Sequence, residues 1–150
     1  MAKRLMLIAF VLGLMPFQVE AVALNGEQAT MIYMLAHSTT HYKLPDVAPE
    51  IHLTTKDKLR EMACPGKLCD VRAMQVRERI YLDEALDMAD IQNAAILYHE
   101  AVHFLQWANR GEAKDCAEWL QRELEAYAMQ NHVLEKAGAR RIQMPALACS

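Results

Sequence analysis

The chain has 150 residues, 53% of them hydrophobic and 23% charged, which allows one domain or two at most. That apolar content excludes intrinsic disorder, and five glycines with five prolines exclude a fibrous or low-complexity chain. Sixteen basic residues against nineteen acidic ones give a net charge of −3, so binding of nucleic acid by phosphate neutralisation is not expected.

Residues 1–23 read as a secretory signal. Lys3 and Arg4 are a short basic start, Leu5 to Leu14 an apolar run, and Pro16 breaks that run. Ala21-Val22-Ala23 then supplies the small residues that signal peptidase reads, so cleavage is expected after Ala23, with Ala21 as second choice. The run is shorter than the roughly 18 residues a bilayer span needs, and no membrane span is expected in the mature chain. The mature domain would be residues 24–150, with 14 basic and 18 acidic residues once Lys3, Arg4 and Glu20 are removed. Export leads to a periplasmic or secreted protein. All four cysteines, Cys64, Cys69, Cys116 and Cys149, lie in the mature part, and an even number in an oxidising compartment suggests two disulfides. Cys64 with Cys69 closes a small loop over Pro65-Gly66, and Cys116 with Cys149 follows by elimination.

In chain order, Gly26 to Tyr42 reads as a helix capped by Asn25 and stopped at Leu44-Pro45-Asp46. Glu50 to Leu53 alternates weakly and is a candidate strand. Thr54 or Thr55 caps a short helix from Lys56 to Met62. Val71 to Val76 and Arg79 to Leu82 are β-prone runs around Arg77-Glu78, a hairpin pattern. Asp83 to Met88 is a connector. Asp87 or Asp90 caps a long helix from about Ala89 to Asn109, ended by Arg110-Gly111. A second long helix runs from about Cys116 to Ala137 and stops at Gly138. The expected fold is one α+β domain, mainly helical, in which a small β-hairpin or sheet precedes two long antiparallel helices.

The first long helix contains His99-Glu100-Ala101-Val102-His103, an HExxH pattern. Histidines at i and i+4 lie about 40° apart on a helix, so both imidazoles can reach one ion. Glu100 stands about 60° further round and can reach a water on that ion without displacing a ligand. Such a site supplies zinc with an open position and a general base. Six His and twelve Glu give roughly 0.02 chance occurrences of the pattern in this length. A third protein ligand is required, and the next helix offers Glu118, Glu123 and Glu125. His103 lies roughly 10 Å along the axis before the turn, which on an antiparallel partner corresponds to the level of residue 123. That favours Glu123 or Glu125 over Glu118, and spacing leaves the two open. They point about 200° apart, so one alone can face the ion.

A helix-borne HExxH followed by a glutamate on the next helix resembles the gluzincin type of zincin metallopeptidase. The chain is more closely similar to an uncharacterised group of small exported bacterial HExxH proteins. The shared features are the loop Cys64 to Cys69, Ile80-Tyr81-Leu82-Asp83, the segment Tyr98 to Gln106, Asp115-Cys116, and Arg122 to Gln130. The resemblance implies one zinc per chain held by His99, His103 and Glu125, the glutamate directly before Ala-Tyr. It implies a peptidase acting on a peptide or protein substrate, with Glu100 as general base. A zincin would place the strand Arg79 to Leu82 at the sheet edge beside the cleft, open to strand addition by substrate. It would also need an oxyanion donor, for which Tyr127 and His132 are candidates, and acceptors behind the ligand histidines, for which Asp83 and Asp115 are candidates.

Two other readings stand beside this one. A non-catalytic zinc module would use the ion to hold two helices together, but it has no need of Glu100 between the histidines. A di-iron carboxylate protein would use Glu100-Ala-Val-His103 as one of two ExxH elements, and the sequence has no second. His37 and His41 share the i, i+4 spacing without an acid between them and read as a solvated helix end. His52 reads as structural, the scattered methionines as core filling, and Gln106 has no role that spacing reveals.

Overall fold

The computed structural model describes residues 24–146. The expected signal segment and Cys149 lie outside them. The described chain is α+β, with four helices and one three-stranded sheet, and about half of it is helical.

Helix α1 (Gly26–Thr39) opens with a reciprocal cap, in which the Asn25 side chain accepts from Gln28 N and Gln28 Oε1 accepts from Asn25 N. The helix stops at Thr39, short of the predicted Tyr42. Thr39 Oγ1 turns back to the carbonyls of Leu35 and Ala36, and Thr40 is extended. Hydroxyl side chains compete with the helical ladder in this way. The residues thereby freed dock elsewhere. Lys43 exchanges two hydrogen bonds with the Asn109 side chain.

Strand β1 (Glu50–Thr54), helix α2 (Lys56–Ala63, capped by Thr55), strand β2 (Ala73–Val76) and strand β3 (Arg79–Asp83) follow. The expected hairpin is present, with Arg77 at its turn in the left-handed region (φ 55°). The sheet order is β1-β3-β2, with β1 parallel and β2 antiparallel to β3. The strand Arg79–Leu82 is therefore the centre of the sheet, not the edge expected beside the cleft. Its Ile80 and Leu82 are fully buried, as a strand paired on both sides requires. The parallel pairing of β1 needs a long crossover, which α2 and the cysteine loop provide.

Helix α3 (Ile91–Arg110) starts at Asp90, whose carboxylate accepts from Gln92 N. Asp87 serves its own turn through Ala89 N. From Leu97 to Gln106 every residue of α3 but His103 is buried, because α1, α4 and the sheet pack around it. Tyr33, Leu82, Leu97, Val102, Phe104 and Leu105 belong to the resulting core. Gly111 ends α3 at φ 73°, ψ −164° and donates to Trp107 O (2.7 Å). Its own carbonyl accepts from Arg122 Nη1 (2.7 Å), and Arg122 Nη2 donates to Glu118 (2.7 Å). These contacts fold α4 (Cys116–Lys136) back against α3, with Arg122, Ala126, Gln130 and Leu134 as its buried line.

The Cys64–Cys69 disulfide is present. Cys116 is also disulfide-bonded. Beyond α4 the chain turns back along it, and Ile142 exchanges two hydrogen bonds with the Asn131 side chain (2.7 and 3.0 Å).

Candidate metal centre

Consider α4 as a helical wheel centred on its buried Ala126. Residue 123 lies about 60° to one side of that line and residue 125 about 100° to the other. The α3–α4 contact therefore decides what spacing left open. Glu123 turns toward the HExxH face of α3. Its two carboxylate oxygens lie 3.2 Å from His103 Nε2 and 3.5 Å from His99 Nε2, and the two Nε2 atoms are 3.0 Å apart. His99, His103 and Glu123 form the one His/Cys/Asp/Glu group of this kind among the described residues.

Glu125, the ligand the resemblance implied, is not at this point. Its Oε2 accepts from Tyr42 Oη (2.7 Å) and from Gln106 Nε2 (3.0 Å). Gln106 is fully buried and links the two layers. Its Nε2 also donates to Arg122 O (3.0 Å), while its Oε1 accepts from His103 Nδ1 (2.8 Å). Because both neighbours of Nε2 can only accept, the amide orientation is settled, and His103 carries its proton on Nδ1. On the other side the Gln130 Oε1 lies 3.1 Å from His99 Nδ1. Both histidines thus present Nε2 to a common point, each held from behind by a glutamine. The residues expected in that supporting role do other work. Asp115 caps α4 through Glu118 N (2.8 Å), and Asp83 binds Arg72 (2.7 Å). Sequence reasoning missed Gln106, Gln130 and Tyr42. A polar residue three positions after the second histidine, on an otherwise apolar helix face, was the available signal for Gln106.

Electrostatics follow the geometry. Burial pushes the Glu123 carboxyl up, but hydrogen bonds and charge from His103 and His99 outweigh it and hold the group at about 2. Burial likewise pushes His103 down. The Glu123 hydrogen bond, the charges of Glu100 and Glu123, and Gln106 together raise it instead. The pocket is thus arranged to hold positive charge against Glu123.

These donors fit a tetrahedral ion. Ligands about 2.0–2.1 Å from such an ion stand about 3.3 Å from one another, and the three donor separations here run from 3.0 to 3.5 Å. Two neutral imidazoles and one carboxylate are the donor set of an open zinc site, although the same set takes other divalent ions.

The centre sits in a cleft of about 550 Å³. Glu100 lies in its wall, as do Trp107, Trp119 and residues 73–75 of β2. The Tyr127 ring packs edge-on against His99, with centroids 4.5 Å apart. Burial first, then the charges of Glu123 and Glu100, raise the Tyr127 phenol, which keeps its proton as a donor. His132, the other donor candidate, is exposed and does not line this cleft. The sheet edge at the cleft is β2. Arg72 O accepts from Asp83 N, and in an antiparallel ladder the hydrogen-bonding direction alternates. Met74 and Val76 therefore face β3, and the backbone N–H and C=O of Ala73 and Gln75 face outward at the free edge.

Comparison with family models, with curated proteins and with solved structures yields no match. The functional reading rests on the residues themselves.

Proposed function

We propose that this protein is an exported zinc-dependent hydrolase of peptide bonds, similar in design to the gluzincins, with Glu123 as the third ligand. The observation that carries the reading is the meeting of three donor atoms from His99, His103 and Glu123 beside Glu100, in a cleft bordered by a free strand edge. When bound, a zinc ion lowers the pKa of a water and polarises a carbonyl. The chain supplies the remaining parts. Ala73 and Gln75 hydrogen-bond an extended peptide by strand addition. The Glu100 carboxylate takes a proton from the attacking water and passes it to the leaving amine. The Tyr127 hydroxyl donates to the oxygen that becomes negative. Gln106 and Gln130 hold the imidazoles in the tautomer that leaves Nε2 free. A catalytic acid such as Glu100 is unnecessary if the ion only ties helices together, which favours hydrolysis over a structural zinc module.

The Cys64–Cys69 disulfide and the bonded Cys116 suit an oxidising compartment, and no described helix is long and apolar enough to cross a membrane. The test is elemental analysis of the mature protein, followed by digestion of casein and a peptide library with Glu100→Gln as control. About one zinc per chain, with cleavage lost in Glu100→Gln while zinc is kept, is the expected result. Two irons per chain, or zinc without cleavage of any peptide, would overturn the proposal.

A further inference from the structure

The cleft has two unequal arms that meet at Val71, Ala73, His99, Glu100 and Tyr127. The larger arm runs past Gln75 toward Trp107 and Trp119. The smaller, of about 320 Å³, runs past Val71 toward Asp70, and one of its walls is Ile142. Ile142 belongs to no helix or strand, yet it is half-buried while the described residues after it, 143–146, are exposed. Its position is fixed from two sides. Asn131 on α4 accepts from Ile142 N (2.7 Å) and donates to Ile142 O (3.0 Å), taking up both backbone groups as a neighbouring strand would. Gln92 at the start of α3 donates to Arg140 O (2.8 Å). A tail residue held by its backbone from one helix, with Arg140 just before it held from another, has a fixed place in the structure. Ile142 lines the arm that Glu100 also lines.

We infer that the C-terminal segment around Ile142 is a built-in stop that closes one end of the substrate cleft, so that the enzyme cleaves close to the C-terminus of its peptide substrate. This rests on the peptidase reading of the same site. The direction follows from the sheet. Antiparallel pairing is the more stable per residue, and a peptide added antiparallel to β2 enters along Gln75 and leaves along Ala73 and Val71. Its leaving-group side then meets Ile142. The acyl side lies in the larger arm, where Trp107 and Trp119 offer apolar surface.

The test uses two peptide series built on one cleaved core, one lengthened residue by residue at the N-terminus and one at the C-terminus. They are assayed with wild type, Ile142→Ala and Asn131→Ala. kcat/KM is measured for hydrolysis, and Kd is measured in the Glu100→Gln background, which needs no turnover. N-terminal extension should leave wild type unaffected. C-terminal extension past the first few residues should lower kcat/KM and raise Kd by about tenfold or more, the equivalent of one lost apolar subsite. Both variants should recover most of that loss for long peptides and leave short ones unchanged; Asn131→Ala keeps the test open if Ile142→Ala misfolds. Hydrolysis that ignores C-terminal length, or a length penalty that both variants retain, overturns the stop while leaving the peptidase reading intact. Binding with the expected asymmetry but without hydrolysis overturns the peptidase reading and leaves the stop.

Discussion

Replacing Gln106 by leucine isolates the support behind the candidate metal centre. The two side chains are of similar size, so the fully buried site keeps its packing, and three hydrogen bonds disappear. Their costs differ. The Arg122 carbonyl lies within α4 and keeps its helical partner. Glu125 keeps Tyr42 at 2.7 Å and is only partly buried, so water can replace Gln106. His103 Nδ1–H points at the fully buried position 106 and loses its only acceptor there, and leaving such a donor unsatisfied costs about 1–3 kcal/mol. We expect the metal-free fold to lose about 2 kcal/mol, lowering Tm by roughly 4–8 °C in a domain this size. Zinc affinity should fall by about 10–100-fold, the usual effect of removing a partner of a ligand histidine. Competition with a chromophoric chelator measures the second quantity and calorimetry the first. Gln106→Glu should do worse near neutral pH, since it places a second carboxylate against Glu125 Oε2, now 3.0 Å from Nε2. Zinc affinity within about twofold of wild type in Gln106→Leu would refute the idea that this glutamine fixes the His103 tautomer.

Other outcomes follow from the same structure. Glu123→Ala should lose its zinc, whereas Glu125→Ala should keep about one zinc per chain at an affinity lowered by no more than about 100-fold; elemental analysis of both variants after dialysis distinguishes them. The metal-free protein should have a stability maximum in mildly acidic solution. His103 is raised from its ordinary 6.5, so its contribution is complete below that pH and is lost as pH rises through the folded value. Glu123 is lowered from 4.5 to about 2, so its contribution is complete above 4.5 and is lost as pH falls toward 2. A melting series on chelator-treated protein checks both limbs, and a Tm that climbs from neutral to alkaline pH would contradict the first. Zinc loading should reverse the high-pH limb, because the ion competes with the His103 proton. Gly111→Ala should destabilise by about 1–3 kcal/mol, since φ 73°, ψ −164° is a backbone region kept for glycine. A Cβ there meets no atom within 4 Å, so denaturant unfolding should report backbone strain alone.

What the sequence determined by itself is local. The Asn25 cap, a cap at Thr54 or Thr55, a cap at Asp87 or Asp90, the stop at Gly111, the hairpin about Arg77-Glu78 and the loop closed by Cys64 and Cys69 are short-range devices. They act within a few residues, so the chain spells them out. His99, Glu100 and His103 share one helix, and helical geometry alone brings them together. What tertiary structure decided is everything that depends on how elements face each other. Glu123 and Glu125 are equivalent by spacing, and the rotation of α4 about its buried Ala126 line sets Glu123 against the two histidines and Glu125 against Tyr42 and Gln106. That rotation is set by Arg122 reaching Gly111 and by packing that no local pattern encodes. The same holds for the sheet. Period-two alternation marks a strand but not its neighbours, so only the parallel pairing of β1 moved β3 to the centre and gave the cleft edge to β2. Tyr42 and Ile142 gain their roles from partners 83 and 11 residues away, where one sequence carries no sign of contact, and the link from Gln106 to Glu125, 19 residues on, is equally hidden.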